Sequence, residues 1–273
     1  FLSLFFPRAK VVLTAWGSDI VLNRGSWLKK ILLRVMLRRA DKITCDAYHL
    51  RDQIIQLGGK EKSIDIIMFG IDEDMFVSKR KPFDNQESEN RYTIGSTRYL
   101  EPIYDVITLL RAARIILAMR EDVVFNVAGS GPDLDSLNAF VDENEIQHGV
   151  RFVGELDSSQ LVEFYDGLDI YVSTSLSDGG IASSTAEAML LERPAVITDA
   201  AENSHWVTDR VNGRLFDCRD FEGLAKILSS LLEDQNTAIE LGKKGRDTII
   251  LRNSYRNEML KMLGVYENIS KKA

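Results

Sequence analysis

The residues Ser175-Leu176-Ser177-Asp178-Gly179-Gly180-Ile181 close an apolar run and open a helical one, Ser183-Ser184-Thr185-Ala186-Glu187-Ala188-Met189. Backbone N–H groups at a helix start have no intrahelical partner and carry the positive end of the dipole. A loop of this kind is therefore an anion site in prospect. Gly179 and Gly180 have no side chains to hold a ligand away from those amides. Glu187 lies five residues beyond Ala182, roughly 7.5 Å along a helix axis. A ribose attached to a diphosphate reaches that far, and a carboxylate accepts from both of its hydroxyls. The competing reading is a helix capped by Ser183 and Ser184 with a solvated Glu187.

A second strand end runs Gly95-Ser96-Thr97-Arg98, where the planar fork of Arg98 could clamp a diphosphate and stabilise charge on a departing nucleotide. A surface arginine is the alternative. Gly129-Ser130-Gly131-Pro132 permits a tight strand-to-helix turn, but Leu134 occupies the third glycine position of the dinucleotide fingerprint. His49, His148 and His205 share no spacing with one another or with a carboxylate pair, so no metal site is expected. No nucleophile-elbow pattern is present.

The elements that must hold these loops alternate strictly beyond residue 90. Strands are expected at 92–95, 123–128, 150–153, 169–173 and 195–198, and helices at 106–119, 134–144, 158–166 and 183–191. That alternation implies a parallel sheet wrapped by helices, with ligands at the carboxyl ends of its strands. Upstream, strands are expected at 10–14, 40–44 and 63–68, with helices at 26–39 and 47–57, the second stopped by Gly58-Gly59. Residues 77–90 are nearly devoid of apolar side chains and read as a linker. Asn212-Gly213 reads as a tight turn, and 224–232 and 256–269 carry helical periodicity.

At 273 residues and 45% hydrophobic content the chain can bury one large or two smaller cores. A net charge of −7 gives no global reason to expect nucleic acid. Cys45 and Cys218 lack metal-ligand spacing and point to a reducing, cytoplasmic setting. No apolar run is long enough to span a bilayer, and the opening Phe1-Leu2-Ser3-Leu4-Phe5-Phe6-Pro7 lacks the basic start of a signal peptide. Lys30, Arg34 and Arg38 fall on one face of the helix at 26–39, which could dock on anionic lipid or form the solvated side of a core helix.

The run over residues 173–199 resembles the signature of glycosyltransferase family 4, the group 1 enzymes of GT-B fold: an acidic residue, a glycine loop, then Glu, Ala-Met and a Pro-Val-like strand. The resemblance implies an α/β protein of two Rossmann-like lobes with parallel sheets. Residues 1–78 would be the end of an acceptor-side lobe that is largely missing, 79–252 the donor-binding domain, and 253–273 a C-terminal helix packing back on the first lobe. It implies that Asp178 contacts the transferred sugar, that Gly179, Gly180, Ile181, Ala182 and Ser183 hold the diphosphate, and that Glu187 holds the ribose. Arg98, Asp178 and Glu187 would be the catalytic set, with Gly95, Gly129, Gly131, Glu155 and Leu156 on the donor side. Trp16 and Asp19 fall where the family has a His-Gly-x-Asp loop toward the acceptor.

Two departures stand out. Asp178 and Glu187 have eight residues between them where the family has seven, and Tyr104 fills the position of a lysine that follows the arginine. The implied activity is metal-independent, retaining transfer of a hexose from a nucleoside diphosphate sugar to a saccharide or lipid-linked hydroxyl, without cofactor, in cell-surface polysaccharide or glycolipid synthesis. The fragment alone is expected to be inactive. A nucleotide-sugar binder without transfer, and a non-hydrolysing epimerase, are the alternatives.

Overall fold

The computed structural model describes residues 9–16, 27–84 and 91–271. They form two compact units: Phe1–Gly70 together with Asn253–Ala273, and Ile71–Arg252. The smaller unit has three parallel strands, β1 (Val12–Ala15), β2 (Lys42–Cys45) and β3 (Ile64–Ile66), in the order β1-β2-β3. Helix α1 (Trp27–Arg39) links β1 to β2, and α2 (Tyr48–Gln56) follows β2. Leu37, Ile43, Leu50 and Ile54 are its fully covered centre. Gly58 ends α2 with a φ of 103°, a left-handed turn that a side chain would strain.

The larger unit is a six-stranded parallel sheet made of β4 (Tyr92–Thr97), β5 (Val123–Ala128), β6 (Val150–Gly154), β7 (Ile170–Ser173), β8 (Ala195–Thr198) and β9 (Arg214–Phe216). Its helices are α3 (Val106–Leu117), α4 (Leu134–Glu143), α5 (Ser158–Asp166), α6 (Ser183–Leu190), α7 (Asn203–Trp206), α8 (Phe221–Glu233) and α9 (Gln235–Asn253). A last helix, α10 (Tyr255–Ser270), belongs to the smaller unit.

Strand order in the larger sheet is β6-β5-β4-β7-β8-β9. The chain builds outward from β4 to β6, then returns to lay β7 on the other side of β4. That reversal leaves a crevice between the carboxyl ends of β4 and β7, where parallel sheets of this type take their ligands. Ile94, Val127, Ile170, Val172 and Val196 fill the sheet's faces, and the apolar stripes of α3 and α8 pack on them through Leu109, Ala113, Leu224 and Leu228.

The structure departs from the sequence reading at the linker and at one helix. Residues 78–83 are not a solvated linker: Ser78 Oγ donates to Asp166 Oδ1 at 2.8 Å, and Arg80 Nη2 and Phe83 N both donate to the buried Asp169 Oδ1 at 2.7 Å. The division between units therefore falls after Gly70 rather than at 78/79; residues 85–90 lie outside the described residues. Asn212 is in a tight turn, as expected, in which Arg210 N donates to the Gly213 carbonyl and Val211 N to the Thr208 carbonyl, both at 3.0 Å. Asn212 is also buried and bridges the Thr208 N–H and the Trp206 carbonyl, at 2.7 and 2.9 Å. The 19-residue α9 was not expected at all.

Candidate functional site

The loops at the β4/β7 reversal enclose a cleft of about 390 Å³, lined by residues that include Thr97, Arg98, Gly129, Ser130, Glu155, Leu156, Tyr165, Ser183, Ser184 and Glu187. Each wall follows from a strand end. Arg98 is the first residue past β4, Gly129 and Ser130 follow β5, Glu155 and Leu156 follow β6, and the loop after β7 leads into α6.

Helix α6 starts at an N-cap, Ala182, that has no side-chain acceptor for the first-turn N–H groups. Ser183 and Ser184 therefore do not cap it. Ser184 Oγ instead accepts from Tyr171 OH at 2.9 Å and from Arg98 Nη1 at 3.2 Å. Arg98 Nη2 pairs with the Asp178 carboxylate, and both side chains are almost covered. The guanidinium lies over the Tyr104 ring, 4.4 Å from its centroid, and its buried Nε has no protein partner. Among the described residues that line the cleft Arg98 is the one cation, and it already faces an internal anion.

One turn along α6, Glu187 Oε2 accepts from Tyr165 OH at 2.9 Å, and Tyr165 OH stands 2.8 Å from Thr97 Oγ1. Burial raises the Glu187 pKa above the ordinary carboxylate range, opposed by the Tyr165 hydrogen bond. The same burial, with Tyr171 and Glu187 nearby, pushes the Tyr165 phenol far up, so it is a permanent donor to the carboxylate. An ionised Glu187 at this depth has acceptor capacity left over for a ligand hydroxyl.

Across the cleft, Ser130 Oγ donates to Glu155, fixing that carboxylate beside Leu156. Gly129, at φ 130°, sits where a Cβ would collide with the Arg98 carbonyl, which lets the β4 and β5 ends close together.

A family model for glycosyl transferases group 1 matches residues 77–248. The chain belongs to that family. It is 20% identical to an uncharacterized glycosyltransferase of Methanocaldococcus jannaschii, covering 98% of this chain and 71% of the relative. It is 22% identical to a GDP-mannose-dependent alpha-(1-6)-phosphatidylinositol monomannoside mannosyltransferase of Mycobacterium tuberculosis, covering 91% of this chain and 68% of the relative. Among solved structures, Anabaena HepE in complex with UDP superposes with a TM-score of 0.83 at 18% identity, over 98% of this chain and 74% of that one. The α/β, parallel-sheet fold of GT-B type expected from the sequence is the fold of this group 1 glycosyltransferase chain.

Of the residues singled out in this glycosyltransferase sequence, Arg98, Gly129, Glu155, Leu156, Ser183 and Glu187 line one cleft. Asp178 adjoins it through Arg98. Gly95 does not line it: this glycine is inside β4, where a Cβ would collide with Leu168. Gly131 has a backbone role as well, at φ 156° beneath the Leu100 carbonyl. Gly179 is exposed and Gly180 half-buried in the loop before α6, while Ile181 is a buried anchor for that loop. Trp16 is in the smaller unit, exposed at the end of β1, and Asp19 lies outside the described residues.

Sequence reading missed Thr97, Tyr165 and Tyr171. Tyr165 and Tyr171 sit in a helix and a strand whose periodicity marks them as core, which they also are. The signal in the sequence is a phenol within an apolar stripe, in the helix and the strand that precede the loop into α6.

Proposed function

We propose that the cleft takes the nucleotide part of a nucleoside diphosphate sugar and that the protein transfers the hexose to an acceptor hydroxyl with retention of anomeric configuration. The ribose hydroxyls donate to Glu187, the diphosphate lies against the first turn of α6 and Arg98, and the base rests beside Glu155 and Leu156. The observation that carries this reading is that Arg98, the uncapped start of α6 and Glu187 line one cleft at the strand reversal. Spacing supports it too: the carboxylate stands one helical turn from the amides, about the reach from a diphosphate to its ribose.

Chemistry of this kind needs no protein nucleophile. The departing phosphate oxygen helps to deprotonate the acceptor, while Arg98 and the α6 amides stabilise the charge that develops on it. Neither a metal nor another cofactor is part of the proposal, so activity should survive treatment with EDTA. The proposed acceptor is a saccharide or lipid-linked sugar of cell-surface polysaccharide or glycolipid synthesis, a reading supported by the likeness to the phosphatidylinositol monomannoside mannosyltransferase.

Titration calorimetry with UDP and GDP tests the binding half. Glu187→Ala and Arg98→Ala should each weaken the better ligand by about tenfold or more, and unaltered affinity in both variants would sink the assignment. A binder without transfer is the second reading, favoured by Tyr104 at the lysine position and by Asp178 already facing Arg98. Sugar-nucleotide turnover by the purified protein decides between the two.

Peripheral contact with the cytoplasmic face of a membrane is a further part of the proposal, and the surface of α1 supports the contact. Trp27, Ile31 and Val35 form an exposed apolar row on α1, beside exposed Lys30, Arg34 and Arg38, and the helix has no acidic residue. Such a face suits an anionic lipid surface. Among the described residues no helix is long and apolar enough to cross a membrane. Co-sedimentation with phosphatidylserine vesicles should fall with added salt and with Lys30→Glu/Arg38→Glu; equal recovery on neutral vesicles would refute the contact.

A further inference from the structure

Tyr104 stands where the resemblance leads one to expect a second cation, yet its ring faces the first. The Arg98 guanidinium sits 4.4 Å from the ring centroid, well inside the range of about 6 Å in which an aromatic face attracts a cation. We propose that Tyr104 is a positioning residue for the donor diphosphate. Its ring holds the Arg98 plane so that this single arginine exchanges Asp178 for a phosphate oxygen. The proposal rests on the reading of the cleft as a donor site.

The platform is braced. Tyr104 ends a tight 3-10 turn (Pro102–Tyr104), in which its N–H donates to the Glu101 carbonyl at 2.9 Å. Its carbonyl accepts from Thr174 Oγ1 at 2.8 Å, and the Ile103 carbonyl accepts from Leu176 N at 2.8 Å. Both partners belong to the loop after β7, the loop that carries Asp178. The backbone that carries the ring is therefore tied to the loop that carries the competing carboxylate, and the guanidinium contacts both side chains.

Arginine suits this placement because its fork is flat. It can stack through one face while its edge N–H groups serve anions, which an ammonium cannot do. In the structure Nη1 reaches Ser184 and Nη2 reaches Asp178, while the buried Nε has no protein partner. Without the ring the guanidinium could swing with Asp178 or out of the cleft. With it, the plane stays in place while the anion at its edge changes.

The experiment is titration calorimetry of the full chain with UDP and GDP against UMP and GMP, because only the second phosphate should report on Tyr104. Tyr104→Phe keeps the ring and should hold the diphosphate-over-monophosphate preference within about twofold of the parent. Tyr104→Leu should lower that preference by about fivefold and leave monophosphate affinity unchanged. Arg98→Lys, which keeps charge but cannot stack as a plane, should lose the preference to a similar extent, and adding Tyr104→Leu to it should cost little more.

A leucine variant that keeps the preference, a phenylalanine variant as damaged as leucine, or a parallel loss of monophosphate affinity would each overturn the proposal. Should Tyr104→Leu fail to fold, Arg98→Lys decides alone: retained preference overturns it. A parent chain that binds no nucleotide overturns the donor-site reading and this proposal with it. Binding abolished by Glu187→Ala with a preference indifferent to Tyr104 overturns this proposal alone.

Discussion

Glu187 must be an anion in a place that resists one. Its pKa is raised by burial, against the opposing hydrogen bond from Tyr165. A carboxyl whose folded pKa exceeds its unfolded value binds its proton more tightly in the folded state. Its contribution to stability is therefore fully present below the unfolded pKa and lost as pH rises through the folded one. Glu187→Gln, which can still accept from Tyr165, should melt higher than the parent at mildly alkaline pH, with the gap closing toward acid pH. Affinity should move the other way. Ribose hydroxyls need the ionised acceptor, so nucleotide binding by the parent should weaken as pH falls through the raised pKa, while the Gln variant binds weakly at every pH. A parent whose affinity is flat across the acid range would remove the ribose from Glu187.

At the scale of elements, the sheet around the reversal was legible because β4, β5, β7 and β8 are short, largely buried runs, and strand ends are marked by Gly129, Gly154 and the Gly179 loop. Helix α9 was not, since it is largely polar and carries two glycines, Gly242 and Gly245, in its interior. The structure explains them: a Cβ on Gly242 would collide with the carbonyl of Glu192, just past the end of α6. Gly242 lets the helix press on the chain that leaves α6, and Arg246 Nη1 donates to the Leu190 carbonyl. Such a close approach depends on tertiary placement and leaves no mark on periodicity. Nor does the attachment of residues 78–83, whose polar side chains suit a linker equally well until buried Asp169 accepts from two of their donors, Arg80 Nη2 and Phe83 N, and from Thr93 N at 2.7 Å. Gly242→Ala should therefore destabilise by about 1–3 kcal/mol, the cost of overpacking, although alanine is the better helix former. Urea titration checks the sign, and a stabilised variant would mean that α9 does not rest on the 192–194 turn.

Over the whole molecule, the chain's two ends of sequence meet in one unit. Glu258 on α10 is buried and accepts from Met68 N at 2.9 Å and from Lys261 Nζ at 2.5 Å, while Val265 and Ile269 cover Ile67. Gly70 N donates to Asn253 Oδ1 at 3.1 Å. None of these residues lines the cleft at the β4/β7 reversal. Glu258→Ala leaves the Met68 N–H buried without its acceptor, which should cost about 1–3 kcal/mol. If the nucleotide site is built by the larger unit alone, that loss should appear in the unfolding of the smaller unit, followed by hydrogen exchange at β2 and β3, while UDP and GDP affinities stay within about twofold of the parent. A parallel fall in nucleotide affinity would mean that the cleft depends on the smaller unit's stability. The Ile71–Arg252 residues could not then be treated as the whole of the donor site.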